Sequence, residues 1–482
     1  MLKLALSYAA LIFLGMASLP GAGIAFGEDG WAMLLEGPAA VEGPAGRLSC
    51  GELRPPVGSA SYDLKFEVLT APGARCGLCF PAGAMAFEVR INNSFGPPRD
   101  CSDLIKTGSL VSRRNLCKSI AKDGQWFTIQ ITAGGGRIQV RVNDQCVVDT
   151  DASTGVAGKL GTVPIFTQRK WDCPPRTPDG KQSFLLAAEA YEANTKVLFK
   201  NVRVKFSKEP LPAAAAPAKP DAVDAEIAQL QREGFPLVDF HVHLKGGLTL
   251  EQAVEKSRKS GINFGIAANC GVKFPITDDQ GIDQYVKKLA GQPVFIGMQA
   301  EGREWPKLFS KEAIARFDYV FSDGMTIVDH RGHRARLWIK DEVDIPDEQA
   351  FMELLVRTIV GILSHEPIDI YVNPTYLPVV LAKDYDRLWT PERLRKIIDA
   401  AAANGVAIEI SNSLHLPKPA FIKDAKRAGI KFTLGTNNTN GNLGRCEYGL
   451  QMIRQCGLTR EDMWMPKPNG QKPIQVRKYL SK

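Results

Sequence analysis

The run Asp239-Phe240-His241-Val242-His243 sets a carboxylate and two imidazoles at alternate positions of one short apolar segment. Residues two apart on a strand face the same side, so Asp239, His241 and His243 project together, and both imidazoles are free to share one divalent metal. All six histidines fall between His241 and His415, which points to one chemical domain in the second half of the chain.

That half alternates strand-like and helix-like runs, as expected of a parallel sheet wrapped by helices. Strands are expected at Leu237 to His241, Ile262 to Ala268, Val294 to Ala300, Tyr319 to Met325, Ile368 to Val372, Val406 to Ile410 and Phe432 to Gly435, with a helix over Thr390 to Ala403. Seven β/α units suggest a barrel one unit short of the usual eight. Barrel enzymes carry their chemistry at the C-terminal ends of the strands. Those ends are polar in every unit: His241, His243 and Lys245; Asn269 and Cys270; Glu301, Arg303 and Glu304; Asp323; Asn373; Glu409, Asn412 and His415; Thr436, Asn437 and Asn438. His365 precedes the fifth strand and belongs to the opposite face. His330 and His333, among Arg331, Arg334 and Arg336, suit a mobile lid or a solvated loop.

The first half has a different period. In Gly136 to Val142, Ile138, Val140 and Val142 alternate with Arg137, Gln139 and Arg141, the pattern of a strand with one buried face. Similar runs at Tyr62 to Leu69, Ala86 to Ile91, Trp126 to Thr132 and Val197 to Phe206 predict an all-β sandwich. The stretch Glu209 to Pro220, rich in proline and alanine, suits an extended spacer. The expected organisation is a signal peptide over 1–25, a sandwich over 27–207, a linker over 208–224 and a barrel over 225–470. Lys3, the apolar stretch from Leu4 to Met16 and the small residues ending at Ala25 carry the signal-peptide reading, which implies export to the periplasm or beyond, with no stable membrane insertion after cleavage.

Of ten cysteines, seven precede residue 210, which in an exported protein favours two or three bridges in the sandwich. Cys76 and Cys79 are expected as structural disulfide partners. The 482 residues carry a net charge of +8, spread without a basic run or stripe, so nucleic acid is a poor candidate partner. A small-molecule or carbohydrate substrate fits better.

Phe87 to Asn93, Gly124-Gln-Trp126 with the strand at 138–143, and Val197 to Val204 together resemble the 3-keto-disaccharide hydrolase family of exported jelly-roll domains. The resemblance implies a lectin-like sandwich concerned with sugar processing, and it places Glu88 on the family's strand-borne carboxylate. No histidine occurs in this half, so a His-dependent activity is excluded there, and Glu88 also suits a solvated position on an outer strand face.

The second half resembles the polymerase and histidinol phosphatase family of metal-dependent phosphoesterases, whose distorted seven-stranded barrel opens with His-x-His. His241 and His243 fall on its first motif, Glu301 on its acidic ligand and Glu409 on a strand-end carboxylate. Where that family has further ligands this chain has Asn269, Asn373-Pro374 and Asn437-Asn438-Thr439, so the resemblance implies one metal rather than a cluster. His241, His243 and Glu301 would form a three-ligand shell for zinc, manganese or iron, with Glu409 or Asp323 as the fourth. Glu409, if not a ligand, is the candidate general base. Lys245 or Arg303 would stabilise an oxyanion or hold an anionic substrate, and Asn269, Asn373, His415, Asn437 and Asn438 would line the substrate pocket. Lys245 and Arg303 also suit solvated rim charges, and Asp323 a cap.

The reading that follows is an exported hydrolase with one divalent metal, acting on a sugar-derived or phosphorylated small molecule. The alternatives are a carbohydrate-binding protein with a metal-free barrel, cleavage of a keto-sugar linkage in the sandwich through Glu88, and an amidohydrolase, which needs an eighth strand ending in Asp.

Overall fold

Alternation of apolar and polar residues over 137–142 folds as expected: Ile138, Val140 and Val142 are fully buried, and the residues between them lie on the outer face. The computed structural model describes residues 26–43, 46–53, 55–82, 85–94, 104–151, 184–190, 195–212, 221–438 and 443–477. Among these the first half forms eleven strands: Trp31–Leu35 (β1), Ala39–Glu42 (β2), Arg47–Leu53 (β3), Ser61–Thr70 (β4), Arg75–Ala82 (β5), Met85–Asn92 (β6), Phe127–Gly134 (β7), Arg137–Val142 (β8), Gln145–Asp151 (β9), Phe184–Ala190 (β10) and Lys196–Ser207 (β11). One antiparallel sheet runs β1-β11-β4-β7-β8-β9, with β2 also on β11, and the other runs β3-β10-β5-β6. Their inner faces close a core that includes Phe66, Phe80, Val89, Ile129, Val140 and Phe199. This is the expected jelly-roll-like sandwich.

The second half is the expected seven-stranded parallel barrel. Its wall is Val238–Val242 (β12), Asn263–Cys270 (β13), Phe295–Ala300 (β14), Tyr319–Ser322 (β15), then, beyond an antiparallel hairpin of Thr326–Val328 (β16) and Arg334–Arg336 (β17), Ile370–Tyr371 (β18), Ala407–Ser411 (β19) and Phe432–Gly435 (β20). The barrel closes by pairing β20 with β12. Thr390 caps the helix Pro391–Asn404 from one residue ahead of it, matching the expected span within a residue. His330 and His333 sit, exposed, in the turn of the β16–β17 hairpin, the solvated loop of the two expected settings. His365 ends the helix Glu348–His365 that leads into β18, and its Nδ1 lies 2.9 Å from the Gly361 carbonyl.

The barrel interior is filled by side chains, as barrels of this size require. Tyr319 crosses it and donates to the Phe240 carbonyl at 2.6 Å, and the space for its ring exists because residues 265 and 297 are glycine; a Cβ at either would collide with it. Phe240, Phe295, Phe321 and Trp464 pack around it.

The floor of the barrel comes from the sandwich. Cys117, carried by the segment after β6, is buried in the same interior cluster as Val238, Phe240 and Tyr319. Asn263 at the start of β13 accepts from Cys117 N at 3.3 Å and donates to the carbonyls of Asn115 and Leu237, each at 3.0 Å. Asn115 N and Nδ2 donate to the Gln231 side chain and carbonyl at 2.6 and 2.8 Å. Arg114 donates to the Gly261 carbonyl at 3.0 Å, and burial brings its guanidinium down to about 10. At the edge, Lys118 pairs with Asp318 at 2.6 Å and Arg258 with Asp149 at 2.7 Å. The barrel residues bonded across this seam lie at or before the N-terminal ends of their strands, so the sandwich plugs the face opposite the one at which the strands end.

The spacer's first residues also lie on the sandwich: Ser61 donates to the Glu209 carbonyl at 2.6 Å and Arg137 to the Pro212 carbonyl at 2.8 Å. Residues 213–220 are outside the described set. The helix Ala222–Arg232, capped by Asp221, begins inside the span expected for the linker. The expected signal peptide is also outside the described residues, among which no helix is long and apolar enough to cross a membrane.

Cysteine usage narrows the disulfide expectation. Cys117 and Cys146 are free thiols, as are Cys270, Cys446 and Cys456. Removing Cys117 and Cys146 from the seven leaves five in the first half, enough for two bridges at most. Cys76 and Cys79 lie three positions apart on β5, roughly 10 Å along an extended strand, too far to bridge each other.

Asp369, fully buried before β18, accepts from Val320 N at 2.9 Å through one oxygen while its other oxygen has no partner. Burial pushes its carboxyl up to about 7. A carboxyl raised in the folded state stabilises the fold below its unfolded pKa, near 3.8, and that contribution is lost as pH rises through about 7. Asp369→Asn, which keeps one acceptor and no charge, is expected to be more stable than the wild type at pH 8, by up to roughly 4 kcal/mol, and similar to it at pH 4. Equal differences in denaturant midpoint at the two pH values would contradict this.

Candidate active site

Strand alternation turns His241 and His243 into the top of the barrel, 5.2 Å apart between ring centroids, with His241 also against Phe321 at 4.7 Å. Both rings are tied at Nδ1. His241 Nδ1 lies 2.6 Å from Glu409 Oε1, and His243 Nδ1 lies 3.0 Å from the Ala267 carbonyl. Acceptors at Nδ1 place the ring proton there and leave Nε2 with its lone pair. His241 Nε2 is buried and has no hydrogen-bond partner. Burial above all, with the Lys245 charge nearby, brings His243 down to about 3, so its ring is neutral and able to ligate at physiological pH. Glu409 is itself fixed, because its Oε2 accepts from Asn373 N at 2.8 Å. It fits beside His241 because residue 435 is glycine; a Cβ there would overlap the carboxylate.

Two further carboxylates complete the pocket. Glu301 Oε1 accepts from Asn269 Nδ2 at 2.7 Å, and Asp323 Oδ2 from Asn373 Nδ2 at 3.2 Å. Burial, then the neighbouring Asp323, raises Glu301, and burial raises Asp323. On the β20 side, Asn438 clamps the His243 backbone, accepting from its N–H and donating to its carbonyl, both at 2.9 Å. Lys245 Nζ donates to Asn437 Oδ1 at 2.9 Å. Asp239 anchors the base: it is fully buried and bonded to Thr436 Oγ1 at 2.6 Å and to the N–H groups of His241 and Thr436.

The structure therefore groups His241, His243, Glu301, Asp323, Asn269, Asn373, Glu409, Lys245, Asn437 and Asn438 at one mouth. Arg303 is also there, but it faces the wall. Its guanidinium pairs with Glu366 at 2.8 Å and donates to Ser322 Oγ at 2.9 Å and to the Asp323 carbonyl at 3.2 Å, which makes it a strut rather than a substrate anchor. His415 lies on the rim, stacked on Tyr448 at 5.0 Å. Sequence reasoning missed Glu366, which holds Arg303 and also accepts from Trp305 Nε1 at 2.8 Å, because it precedes its strand rather than ending one.

For a metal, the two imidazoles fit: each has the second-shell bond at Nδ1 that metal-binding histidines carry, and the orphaned Nε2 of His241 awaits a partner. The complete shell is not preformed, since no three His, Cys, Asp or Glu side chains among the described residues are grouped closely enough to hold an ion. Glu409, bonded to the far side of the His241 ring, is placed as its orienting partner.

Glu88 lies elsewhere, on β6 of the sandwich, where its carboxylate pairs with Arg90 Nε at 2.9 Å. Only 11% of its side chain is exposed, so it is an occluded ion pair and not a solvated residue. The run 57–205 that contains it matches one family model. The sandwich is similar to the 3-keto-alpha-glucoside-1,2-lyase-like domain family. This lyase-like sandwich accounts for under a third of the chain, and no curated protein matches the chain. Solved structures similar to it include a protein from Parabacteroides distasonis provisionally assigned as a glycosyl hydrolase (14% identity, 38% of this chain and 93% of that one, TM-score 0.25). A carbohydrate-binding module from Bacillus subtilis (11%, 36% and 95%, TM-score 0.19) and a galectin from Caenorhabditis elegans (12%, 35% and 95%, TM-score 0.18) are others. At these scores the structural likenesses carry no functional argument. The lyase-like sandwich and the barrel mouth are thus two separate candidate sites on one chain.

Proposed function

We propose that this chain is an exported hydrolase acting on a sugar-derived or phosphorylated small molecule. Its chemistry is placed at the barrel mouth, with a divalent metal on His241 and His243 and a lyase-like sandwich that binds or processes carbohydrate. The observation that carries the metal is the pairing of both Nδ1 atoms with acceptors, which leaves the buried Nε2 of His241 without a partner. The barrel that opens with His-x-His is also what the resemblance to the polymerase and histidinol phosphatase family implies. Glu301 and Asp323 are the carboxylates that would move in to complete the shell. When bound, such an ion lowers the pKa of its water and polarises a carbonyl or phosphoryl oxygen. Glu409 holds the His241 proton at Nδ1, Asn373 holds Glu409, and Asn269 orients Glu301.

The test is elemental analysis of the mature protein made in an oxidising compartment, beside a His241→Ala, His243→Ala double variant. About one zinc, manganese or iron per chain, lost in the variant, is the expected result. Absence of metal from both would leave the carbohydrate-binding reading in its place.

A second reading places catalysis in the sandwich. It is favoured by the family match over 57–205 and by the occluded carboxylate of Glu88. On that reading Glu88→Gln lowers kcat for cleavage of a 3-keto-glucoside by roughly 100-fold or more, the usual contribution of a general acid or base. An unchanged rate would remove Glu88 from consideration.

A further inference from the structure

Lys245 stands at the exposed rim of the barrel mouth and Arg303 against its wall, and the structure separates the two cations. Arg303 is neutralised by Glu366 and bonded to Ser322 and to the Asp323 carbonyl. The arginines of the neighbouring loops are engaged as well: Arg334 with Glu304, Arg331 with Asp344, Arg336 with Glu342. Lys245 differs. Its ammonium has one partner, the neutral amide oxygen of Asn437 at 2.9 Å, and no carboxylate among the described residues lies within ion-pair distance. The next stretch of the β20 loop, Thr439 to Asn442, contains no acidic residue. An ammonium carries three N–H donors, so two are open to solvent or to a ligand at the mouth.

The placement of Lys245 is built. Its backbone N–H donates to the His243 carbonyl at 3.0 Å, the same carbonyl that Asn438 holds, so Lys245 and His243 move as one unit. Asn437 has φ of 50°, the left-handed region that asparagine tolerates, and it presents its side chain to Lys245 from the neighbouring strand end. The Lys245 charge acts on the His243 ring, two residues away, while the charges that act on Glu301 are those of Arg303 and Arg334, both paired with glutamates.

We propose that Lys245, positioned by Asn437, binds an oxyanion of the substrate, a phosphate or a sugar carboxylate, at the mouth beside His243. This deepens the hydrolase reading by assigning the substrate a negative charge, and it rests on that reading for the site. A lysine ammonium suits this task as a point charge, without the two-pronged geometry of arginine. A neutral sugar could accept hydrogen bonds from the ammonium through its hydroxyls but would leave its charge uncompensated.

The test is calorimetric titration of the full mature chain with inorganic phosphate and with glucuronate, glucose serving as the neutral control. Wild type, Lys245→Met and Lys245→Arg are compared, and metal content is measured on the same samples. Wild type is expected to bind at least one anion ten times more tightly than glucose. Lys245→Met should lose that tenfold preference, and Lys245→Arg should keep most of it. Binding of phosphate alone identifies a phosphorylated substrate, and of glucuronate alone a uronic acid. If neither anion outcompetes glucose, or if Lys245→Met binds as wild type does, the assignment is overturned. Metal without Lys245-dependent binding defeats this inference alone; Lys245-dependent binding without metal defeats the metal reading alone.

Discussion

Glu409→Gln is expected to weaken metal binding by about 10- to 100-fold, the usual effect of removing an outer-shell partner of a ligating histidine. The reason is that both oxygens are engaged as acceptors: Oε1 with His241 Nδ1 at 2.6 Å and Oε2 with Asn373 N at 2.8 Å. A glutamine has one acceptor oxygen. If that oxygen faces His241, the new NH2 opposes the Asn373 N–H. If the NH2 faces His241, the ring must carry its proton on Nε2, and the lone pair turns away from the cavity. A merely structural role would alter stability and leave the tautomer alone, so nitrogen NMR of the imidazole, together with metal titration, distinguishes the two. A variant that keeps both the Nδ1–H form and wild-type metal affinity would show that Glu409 does not position His241.

Asn263→Leu is expected to cost about 3 kcal/mol and to separate the melting of the two domains. Its side chain meets Cys117 N and the carbonyls of Asn115 and Leu237, all deep in the joint. Leucine has a similar volume, so the loss is the Cys117 N–H left unpaired, at roughly 1 to 2 kcal/mol, and one hydrogen bond from each carbonyl, at roughly 0.5 to 1 kcal/mol each, since Leu237 keeps the residue-263 N–H and Asn115 keeps Arg114. Calorimetry of the intact chain should show one transition for the wild type and two for the variant. An unchanged melting profile would mean that the domains are held by other contacts.

The barrel was legible because each strand is a short apolar run ended by polar residues. Phe432 to Gly435 was read to the residue, and the others within about three at either end. The jelly-roll-like sandwich was equally plain from its period of two. Burial partners were not legible. Sequence shows that residue 303 is arginine, but its pairing with Glu366 arises from two loops 63 positions apart. Asn373, Asn437 and Asn438 look alike at strand ends, yet one supports Glu409, one Lys245 and one the His243 backbone. That distinction depends on left-handed backbone at all three, φ of 49°, 50° and 30°, which composition does not encode. The sandwich's plug was missed for a related reason. Arg114, Asn115 and Lys118 are polar residues of an irregular segment, and only their partners reveal that they form a buried joint.

That joint decides how the two halves can cooperate. A spacer of prolines and alanines suggests a swinging arm that carries a captured ligand from one module to the other. With Cys117 seated inside the barrel floor and Asn263 bonded across the seam, the modules are instead fixed like two tools on one handle. Lengthening the spacer should therefore leave any coupling between them unchanged.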